Sequence, residues 1–372
     1  MKNKLIFLAF SLWLGISVAC APSEKPENTN SASPAADSPT DSAAAMNAED
    51  KALWEKAKGL FEALPEKIPA PEGMTDTPEK VALGKQLFHD PRLSKSGAIS
   101  CNSCHNLASA GVDNRSFSLG HGFKQGGRNA PTVLNAGFHT AQFWDLRAKD
   151  LTEQAKGPVL NPVEMAMPSE ADVVIRLASI EAYQENFKKA FPEAADKALS
   201  YQNMAEAIAA FERTLVTPSR FDAFLKGKGE ALSAEEKKGL ETFIGKGCTA
   251  CHSGVAVGGK MAQKFGIVKP YPNRKDMGKY DLTKKEEDKY VFKVPSLRNI
   301  ARTYPYFHDG AVWELKEAIK IMGETQLGLV LDPAEIDSIA VFLNALTGEL
   351  PPDARMLPEL PASGPKTPQP AI

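Results

Sequence analysis

The sequence predicts a mainly α-helical protein built from two tandem helical domains. Helix-forming stretches alternate with connectors rich in proline and glycine, and runs of β-forming residues are scarce. An amphipathic pattern and a short cysteine–histidine motif of the first half both return in the second half. The chain of 372 residues is long enough for two domains. Its net charge of -2 predicts neither a nucleic-acid partner nor an anionic membrane partner.

Residues 1–20 have the pattern of an export signal, with a basic start and an apolar core at residues 5–18. This core is shorter than a membrane-spanning helix requires. The ending Ser17-Val-Ala-Cys20 resembles a bacterial lipoprotein cleavage site, which predicts a lipid anchor at Cys20 and a membrane-tethered periplasmic protein. Ser17 replaces the aliphatic residue that is usual there, so a plain signal peptide is the alternative.

Two segments outside the predicted domains have compositions that form no core of their own. Residues 21–47 contain almost no large apolar residue, which predicts a disordered tether. Residues 351–372 form a proline-rich tail that either lies along the body or is disordered. The domains themselves are predicted at 48–217 and 218–350, because a proline ends the helical pattern at this boundary.

Four of the five cysteines fall in two C-x-x-C-H motifs, the pattern of covalent haem c attachment. Two thiols on one helical turn reach the two vinyl groups of a porphyrin, and the adjacent histidine becomes an axial ligand of the iron. Two such motifs predict two covalently bound haem c groups. The motifs are Cys101-Asn-Ser-Cys104-His105 and Cys248-Thr-Ala-Cys251-His252.

Three other uses of these cysteines are disfavoured. A zinc site is disfavoured because a long segment separates the two pairs and a histidine follows each. A thioredoxin-type redox pair is disfavoured because no βαβ pattern surrounds them. A short disulfide would strain the loop between the paired cysteines.

Each half has an entry helix, a haem motif and a closing helix, which is the order of a small cytochrome c fold. Both entry helices carry a Gly-x-x-x-Phe pattern, and both closing helices place apolar residues on one face. The second entry helix begins with a capping box formed by Ser233 and Glu236. The matching segments are 84–88 and 239–243 for entry, and 208–215 and 339–346 for closing.

The two halves differ where the sixth haem ligand is expected. Met322 precedes the second closing helix and is either an iron ligand or a core methionine. A thioether ligand raises the reduction potential, which suits electron transfer. The first half has no His or Met at its equivalent place, so its iron is either open or bound from elsewhere. The candidates from elsewhere are His121, His139, Met165 and Met167.

From about residue 65 to residue 350, the chain resembles the bacterial di-haem cytochrome c peroxidases. The resemblance implies reduction of hydrogen peroxide to water, with His105 proximal in the first, peroxidatic haem. It also implies His252 and Met322 as the axial ligands of the second, electron-entry haem. The motifs that carry the resemblance are residues 87–94, the first C-x-x-C-H motif, Gly111-Val-Asp113, Gly120-His121-Gly122, Arg128-Asn129-Ala-Pro131, Phe143-Trp144-Asp145, Asn161-Pro162-Val-Glu164-Met165, residues 295–299, residues 305–310 and Met322.

The resemblance also implies roles for side chains of the peroxide pocket. Glu164 would be its acid–base residue, with Gln154 as a polar neighbour, and Trp144 would lie between the two haems. The alternative for Glu164 is a solvated loop charge, and the alternative for Trp144 is packing. Met165 and Met167 are expected to be pocket walls rather than ligands.

Two further sites follow from the resemblance. Asn129, with the carbonyls of Thr303 and Pro305, matches an inter-domain calcium site. His121 lies between two glycines and matches a histidine that caps the first haem in the resting state and leaves when the second haem is reduced. Some members of the family rest with this position open.

Two rival functions remain. One is a di-haem oxidase of the methylamine-utilisation type, in which a tyrosine replaces the methionine at Met322. The other is a non-enzymatic di-haem electron carrier in which His121 is a permanent ligand. For the peroxidase, the resemblance implies a small cytochrome c or a copper protein as electron donor, and a homodimer.

Overall fold

The structure is a computed structural model that describes residues 46–371. The predicted export signal, the predicted lipid anchor at Cys20 and most of the predicted tether lie outside these residues. The described chain is mainly helical, which confirms that part of the predicted fold class. No helix within it has the length and apolar character needed to cross a membrane. The α-helices are α1 (Ala48–Lys58), α2 (Pro78–His89), α3 (Cys101–Cys104), α4 (Leu151–Leu160), α5 (Glu170–Ala178), α6 (Glu181–Ala190), α7 (Tyr201–Glu212), α8 (Arg220–Leu225), α9 (Ala234–Gly245), α10 (Tyr280–Thr283), α11 (Leu315–Met322), α12 (Pro333–Ala345) and α13 (Pro352–Arg355).

The described strands form one small antiparallel sheet. Strand β1 (Ala262–Lys264) pairs with strand β2 (Val291–Lys293), and Ala262 lies opposite Lys293. Such short pairing fits the scarcity of β-forming runs in the sequence. The sheet positions Lys293 beside the second of the two cavities described below.

The entry and closing helices of each half cross at a glycine. A Cβ atom on Gly84 of α2 would lie 1.8 Å from the carbonyl oxygen of Ala207 in α7. A Cβ atom on Gly239 of α9 would lie 2.1 Å from the carbonyl oxygen of Ser338 in α12. Only glycine allows these close approaches. The repeated Gly-x-x-x-Phe pattern is therefore a repeated helix crossing, and the predicted capping box of α9 is confirmed.

The buried apolar side chains form two large clusters. One cluster contains Phe88, Phe187 and Phe211, and the other contains Phe221 and Phe342. The ring of Phe88 packs edge-on against Phe211, and the ring of Phe221 does the same against Phe342. Each cluster thus centres on one entry and closing pair of helices. The domain boundaries at 48–217 and 218–350 stay a prediction.

The first and last helices of the described residues each pack against the other half. Leu53 and Ala57 of α1 belong to the cluster around Phe342, whereas Leu350 and Ala354 belong to the cluster around Phe88. Each end therefore packs against the half that is more distant in sequence.

The proline-rich tail lies along the first half. The Gln86 side chain donates a hydrogen bond to the carbonyl of Glu359 (3.0 Å), and the last described residue, Ala371, donates to the carbonyl of Lys95 (3.0 Å). These contacts give the tail a fixed path along α2 and the loop that follows it.

A buried polar junction joins the two halves at Thr217. The side-chain amides of Asn135 and Asn299 both donate to the Thr217 hydroxyl, at 2.7 and 2.8 Å. Both asparagines occupy the left-handed backbone region, with φ of 59° and 61°, which asparagine tolerates better than most residues. One asparagine from each half thus donates to the same side chain.

Candidate active site

A cavity of about 590 Å³ is lined mostly by residues of the first half, with Lys275, Asp276 and Asp281 of the second half at its wall. Its walls include His105 and Cys104 of the first motif, together with Trp144, Gln154 and Glu164. Helix α3 places the motif, and helix α4 presents Gln154. The structure therefore brings together two residues of the first haem motif and the three side chains to which the resemblance assigns catalytic roles.

The two motif histidines are half-buried, with buried Nδ1 atoms, and electrically neutral. Burial lowers the pKa of His105 and lowers that of His252 to about 4. The Nδ1 atoms of both rings are buried without a hydrogen-bond partner among the described residues. A neutral imidazole is the form that binds iron. Each ring beside a cavity thus fits the axial role that a haem c requires.

The motif cysteines are protonated thiols. Burial raises the pKa of Cys104 and of Cys248 to about 11, and it also raises the pKa of Cys101 and Cys251. Zinc binding and thiol redox chemistry both require thiolates. Within residues 46–371, no group of histidine, cysteine and acidic side chains is arranged to hold a metal ion. The absence of such a group from the described residues disfavours the zinc alternative, and the raised thiol pKa values disfavour the redox pair.

Glu164 lies in a tight loop after α4. The Asn161 side-chain amide donates to Glu164 Oε1 at 2.9 Å. Burial raises the pKa of Glu164, while the nearby Arg147 and the Asn161 hydrogen bond oppose this rise. Glu164 is half-buried and borders the cavity, which favours the pocket role over the solvated alternative, and its catalytic role stays a prediction.

His121 contacts the same loop. Its backbone N–H donates to the carbonyl of Glu164 at 2.7 Å, and a Cβ atom on Gly120 would lie 2.1 Å from the carbonyl of Val163. The His121 ring is 8% exposed, and its Nδ1 has no described hydrogen-bond partner. His121 itself does not border the cavity, although Gly120 and Glu164 do. Its role as a removable ligand stays a prediction.

The other candidate ligands of the first iron lie elsewhere. Met165 and Met167 are buried in the cluster around Phe88 and do not border the cavity, so the expectation that they form pocket walls is not met. His139 packs against Gly259 and accepts a hydrogen bond from Lys293 on the side of the second cavity.

A second cavity, of about 210 Å³, lies beside the second motif. Its walls include Cys248, Cys251 and His252, and Met322 faces it from the last residue of α11. A five-residue π-helical turn, Gly323–Leu327, follows directly. Such π-helical turns occur often at functional sites. The structure thus brings together the predicted ligand residues of the second haem.

Trp144 borders both cavities. Its indole N–H donates to the carbonyl of Asn129 at 2.9 Å, which fixes the ring between them. Asn129 also borders both cavities, and Thr303 and Pro305 border the second. The Asn129 amide nitrogen donates to the carbonyl of Arg115 at 2.9 Å, so its oxygen is the atom left to bind a cation. The calcium site stays a prediction.

Glu212, at the end of α7, is a residue of the first cavity that the sequence analysis missed. It is 5% exposed, its Oε2 has no described hydrogen-bond partner, and burial raises its pKa to about 8. A signal did exist, because Glu212 lies four residues after Ile208 on the apolar face of the closing helix. A carboxyl group on such a face is either paired or protonated.

Comparisons with known proteins agree with this geometry. Residues 78–230 match the family described as di-haem cytochrome c peroxidase. The chain is 49% identical to cytochrome c551 peroxidase of Pseudomonas aeruginosa over 330 residues, which is 87% of this chain and 94% of the relative. It is 50% identical to cytochrome c551 peroxidase of Nitrosomonas europaea over 299 residues, which is 79% of this chain and 87% of the relative.

A solved structure is also similar. A MauG-like protein associated with microbial copper homeostasis has a TM-score of 0.69 at 31% identity. The match covers 79% of this chain and 98% of that protein.

Proposed function

Because the chain belongs to the di-haem cytochrome c peroxidase family, we propose that it reduces hydrogen peroxide to water with electrons that pass from the C-terminal haem to the N-terminal haem. One observation carries this proposal. Trp144 borders both cavities, and the first of them also contains His105, Gln154 and Glu164. Each half therefore provides one part of a two-part enzyme.

The residues that would hold the haems are those of the two motifs. Cys101 and Cys104 would attach the first and Cys248 and Cys251 the second, with His105 and His252 as axial ligands. A haem c bound in the first cavity would supply the iron at which peroxide and electrons meet. Reduction of one peroxide molecule consumes two electrons and two protons and yields two water molecules.

Glu164 would move the proton. Peroxide loses a proton from one oxygen and gains one on the other before the bond between them breaks, and a carboxylate within hydrogen-bond reach can transfer it. Burial supports this role because it raises the pKa of Glu164 toward the working range. Asn161 holds the carboxylate through its amide, and Gln154 offers a second polar group in the same cavity.

The C-terminal half would accept electrons from a small cytochrome c or a copper protein. Met322 favours this role, because a thioether ligand raises the potential. It also favours a peroxidase over an oxidase of the methylamine-utilisation type, in which a tyrosine replaces it. Trp144 would assist electron transfer between the two cavities.

His121 would be the removable ligand of the first haem. Its backbone contact with Glu164 couples the two loops, and Gly122 beside it has a φ of 65°, a conformation that glycine adopts without strain. Its displacement when the second haem is reduced would admit peroxide only after an electron is stored. A resting ferric spectrum with a high-spin first haem would contradict this role.

Three accompanying features belong to the proposal. Calcium would bind Asn129 and the carbonyls of Thr303 and Pro305. A lipid on Cys20 would hold the protein at the periplasmic face of a membrane. Two copies would form a homodimer.

Steady-state peroxide consumption with a reduced donor tests the function. We expect Glu164→Gln to lower kcat by roughly 100-fold or more, because it removes the acid–base group. The matched control is Glu153→Gln, which removes a half-exposed carboxylate of α4 that pairs with Lys156. Unchanged turnover in Glu164→Gln, with both haems retained, would remove Glu164 from the mechanism. Absence of turnover in the wild-type protein with every donor class would favour the electron carrier.

A further inference from the structure

Lys293, at the end of β2, is a buried cation beside the second cavity. It is 4% exposed and borders the cavity together with His252 and Met322. Within the described chain it forms no ion pair with a carboxylate, and its Nζ donates to His139 Nδ1 at 3.1 Å. A buried ammonium group normally has an anionic partner, because removing it from water costs several kcal/mol.

His139 cannot supply this negative charge. Burial lowers the pKa of His139 well below its ordinary value, so the ring is neutral and Nδ1 is a lone-pair acceptor. The ring is also fixed in place, because a Cβ atom on Gly259 would lie 2.3 Å from its Cδ2. His139 therefore orients the ammonium group without neutralising it.

The negative charge of Asp145 raises the pKa of Lys293, but this carboxylate is already paired with other cations. Its Oδ2 lies 2.5 Å from Arg128 Nη1 and 3.0 Å from Arg147 Nη1. Two guanidinium groups thus share this one carboxylate. Burial lowers the pKa of Lys293 to about 8, and no carboxylate of the described residues pairs with it, so an anionic group in the cavity would supply the counter-charge that favours its ammonium form.

We propose that Lys293, oriented by His139, is the anchor for a propionate carboxylate of the haem in the second cavity. This inference rests on the proposed binding of a haem there. Lys293 also donates its backbone N–H to the carbonyl of Trp144 at 2.7 Å. One residue would therefore connect the second haem to the loop that carries the tryptophan between the cavities. Lys293 is a positioning residue, since it acts on the haem through its charge and its hydrogen bond.

The charge predicts a change in reduction potential. A positive charge beside a haem stabilises the added electron, so Lys293→Met is expected to lower the potential of the second haem. The expected change is about tenfold in the equilibrium constant for reduction, or about 59 mV for a one-electron couple. The matched control is Lys260→Met, which removes a half-exposed lysine that pairs with Glu62. This control is expected to leave the potential unchanged.

A second variant keeps the charge in case Lys293→Met fails to incorporate haem. Lys293→Arg should leave the potential near its wild-type value and shift the resonance Raman propionate bending mode of the second haem, because the hydrogen bond changes geometry. Lys260→Arg should leave this mode unchanged. Equal potentials in Lys293→Met and Lys260→Met, or an unchanged mode in Lys293→Arg, would overturn the inference.

Two comparisons separate the remaining explanations. A free anion in place of the propionate would make the potential depend on whether chloride, phosphate or acetate is the buffer anion, and that result would also overturn the inference. Potentials are measured without turnover. A haem-loaded protein that shows the Lys293 effect but consumes no peroxide would refute the proposed function and support this inference.

Discussion

The two cavities differ in the side chains that surround the same kind of motif. The first, of about 590 Å³, is lined by the carboxyl groups of Glu164 and Glu212 and the amide of Gln154. The second, of about 210 Å³, is lined by Met322 and many apolar side chains, and no carboxylate of the described chain borders it. Carboxyl groups handle protons, and a thioether stabilises reduced iron. The difference fits the proposed division of labour, in which the first half handles protons and the second half stores an electron.

The two halves share their helix crossings and their backbone conformation at one asparagine each. Gly84 and Gly239 allow the same helix crossing, and Asn135 and Asn299 have the same left-handed backbone and bond the same threonine. The contrast therefore comes from the residues added around these shared elements.

Removal of the Met322 thioether should have the largest effect on the difference between the two cavities. We expect Met322→Ala to open the sixth position of the second iron, to convert its ferric state from low spin to high spin and to lower its potential. Spin-resonance and absorption titrations measure both changes. Met356→Ala, which truncates an exposed methionine of the tail, is the control. An unchanged low-spin signal in Met322→Ala would show that Met322 is a core residue.

Substitution of Gly84 and Gly239 should show whether the two helix crossings tolerate an added methyl group equally badly. Gly84→Ala and Gly239→Ala each force a methyl group against a backbone oxygen, so each should lower the free energy of unfolding by about 3 kcal/mol. Gly245→Ala is the control, because a methyl group there would have no neighbour within 4 Å. Denaturant unfolding of the haem-loaded variants gives these values. An unchanged free energy of unfolding in Gly239→Ala would mean that α9 and α12 can move apart to make room for the methyl group.

Glu212 should make the stability of the protein depend on pH. Its pKa rises from 4.5 to about 8 on folding, so the folded state binds more protons than the unfolded state between these pH values. This contribution to stability is present below pH 4.5 and is lost as pH rises to about 8. Glu212→Gln should therefore flatten the decline of stability over this range. Glu206→Gln on the same helix should not, and equal pH profiles for both variants would contradict the assignment.

Substitution of Asn161 should have the smallest effect of the four, a change in the pKa of Glu164. Its amide stabilises the charged form of Glu164, so Asn161→Asp should raise the pKa of Glu164 and move the acid limb of kcat/KM to higher pH. The aspartate keeps an oxygen to accept the N–H of Val163, which preserves the loop. An acid limb that does not move would show that another group controls it.

The sequence predicted those parts of the molecule that local rules determine. The C-x-x-C-H spacing located both cavities, and the Gly-x-x-x-Phe pattern and the capping box located the paired helices, because spacing and capping act within one or two turns. Gln154 and Glu164 border the first cavity and Trp144 borders both, which are the positions that the resemblance rather than local rules led us to expect, and their roles stay predictions.

Long-range packing was the part that the sequence could not give. Glu212 and His105 are more than a hundred positions apart, and only the tertiary fold places both at one cavity. The contact between Lys293 and His139 joins a short strand to a loop of the other half. Met165 and Met167 were assigned to the pocket from their neighbours in sequence, but the turn after α4 directs them into the core.

Segments from both ends of the described residues bind the opposite half of the protein. The Trp54 side chain donates to the carbonyl of Leu225, 171 positions later in the chain, and Lys85 bonds the carbonyl of Asp353. The apolar cluster of each half includes side chains from a segment of the other half, so neither cluster is complete without that segment. A single cut in the connection near Thr217 is therefore expected to leave two fragments that stay associated through these contacts.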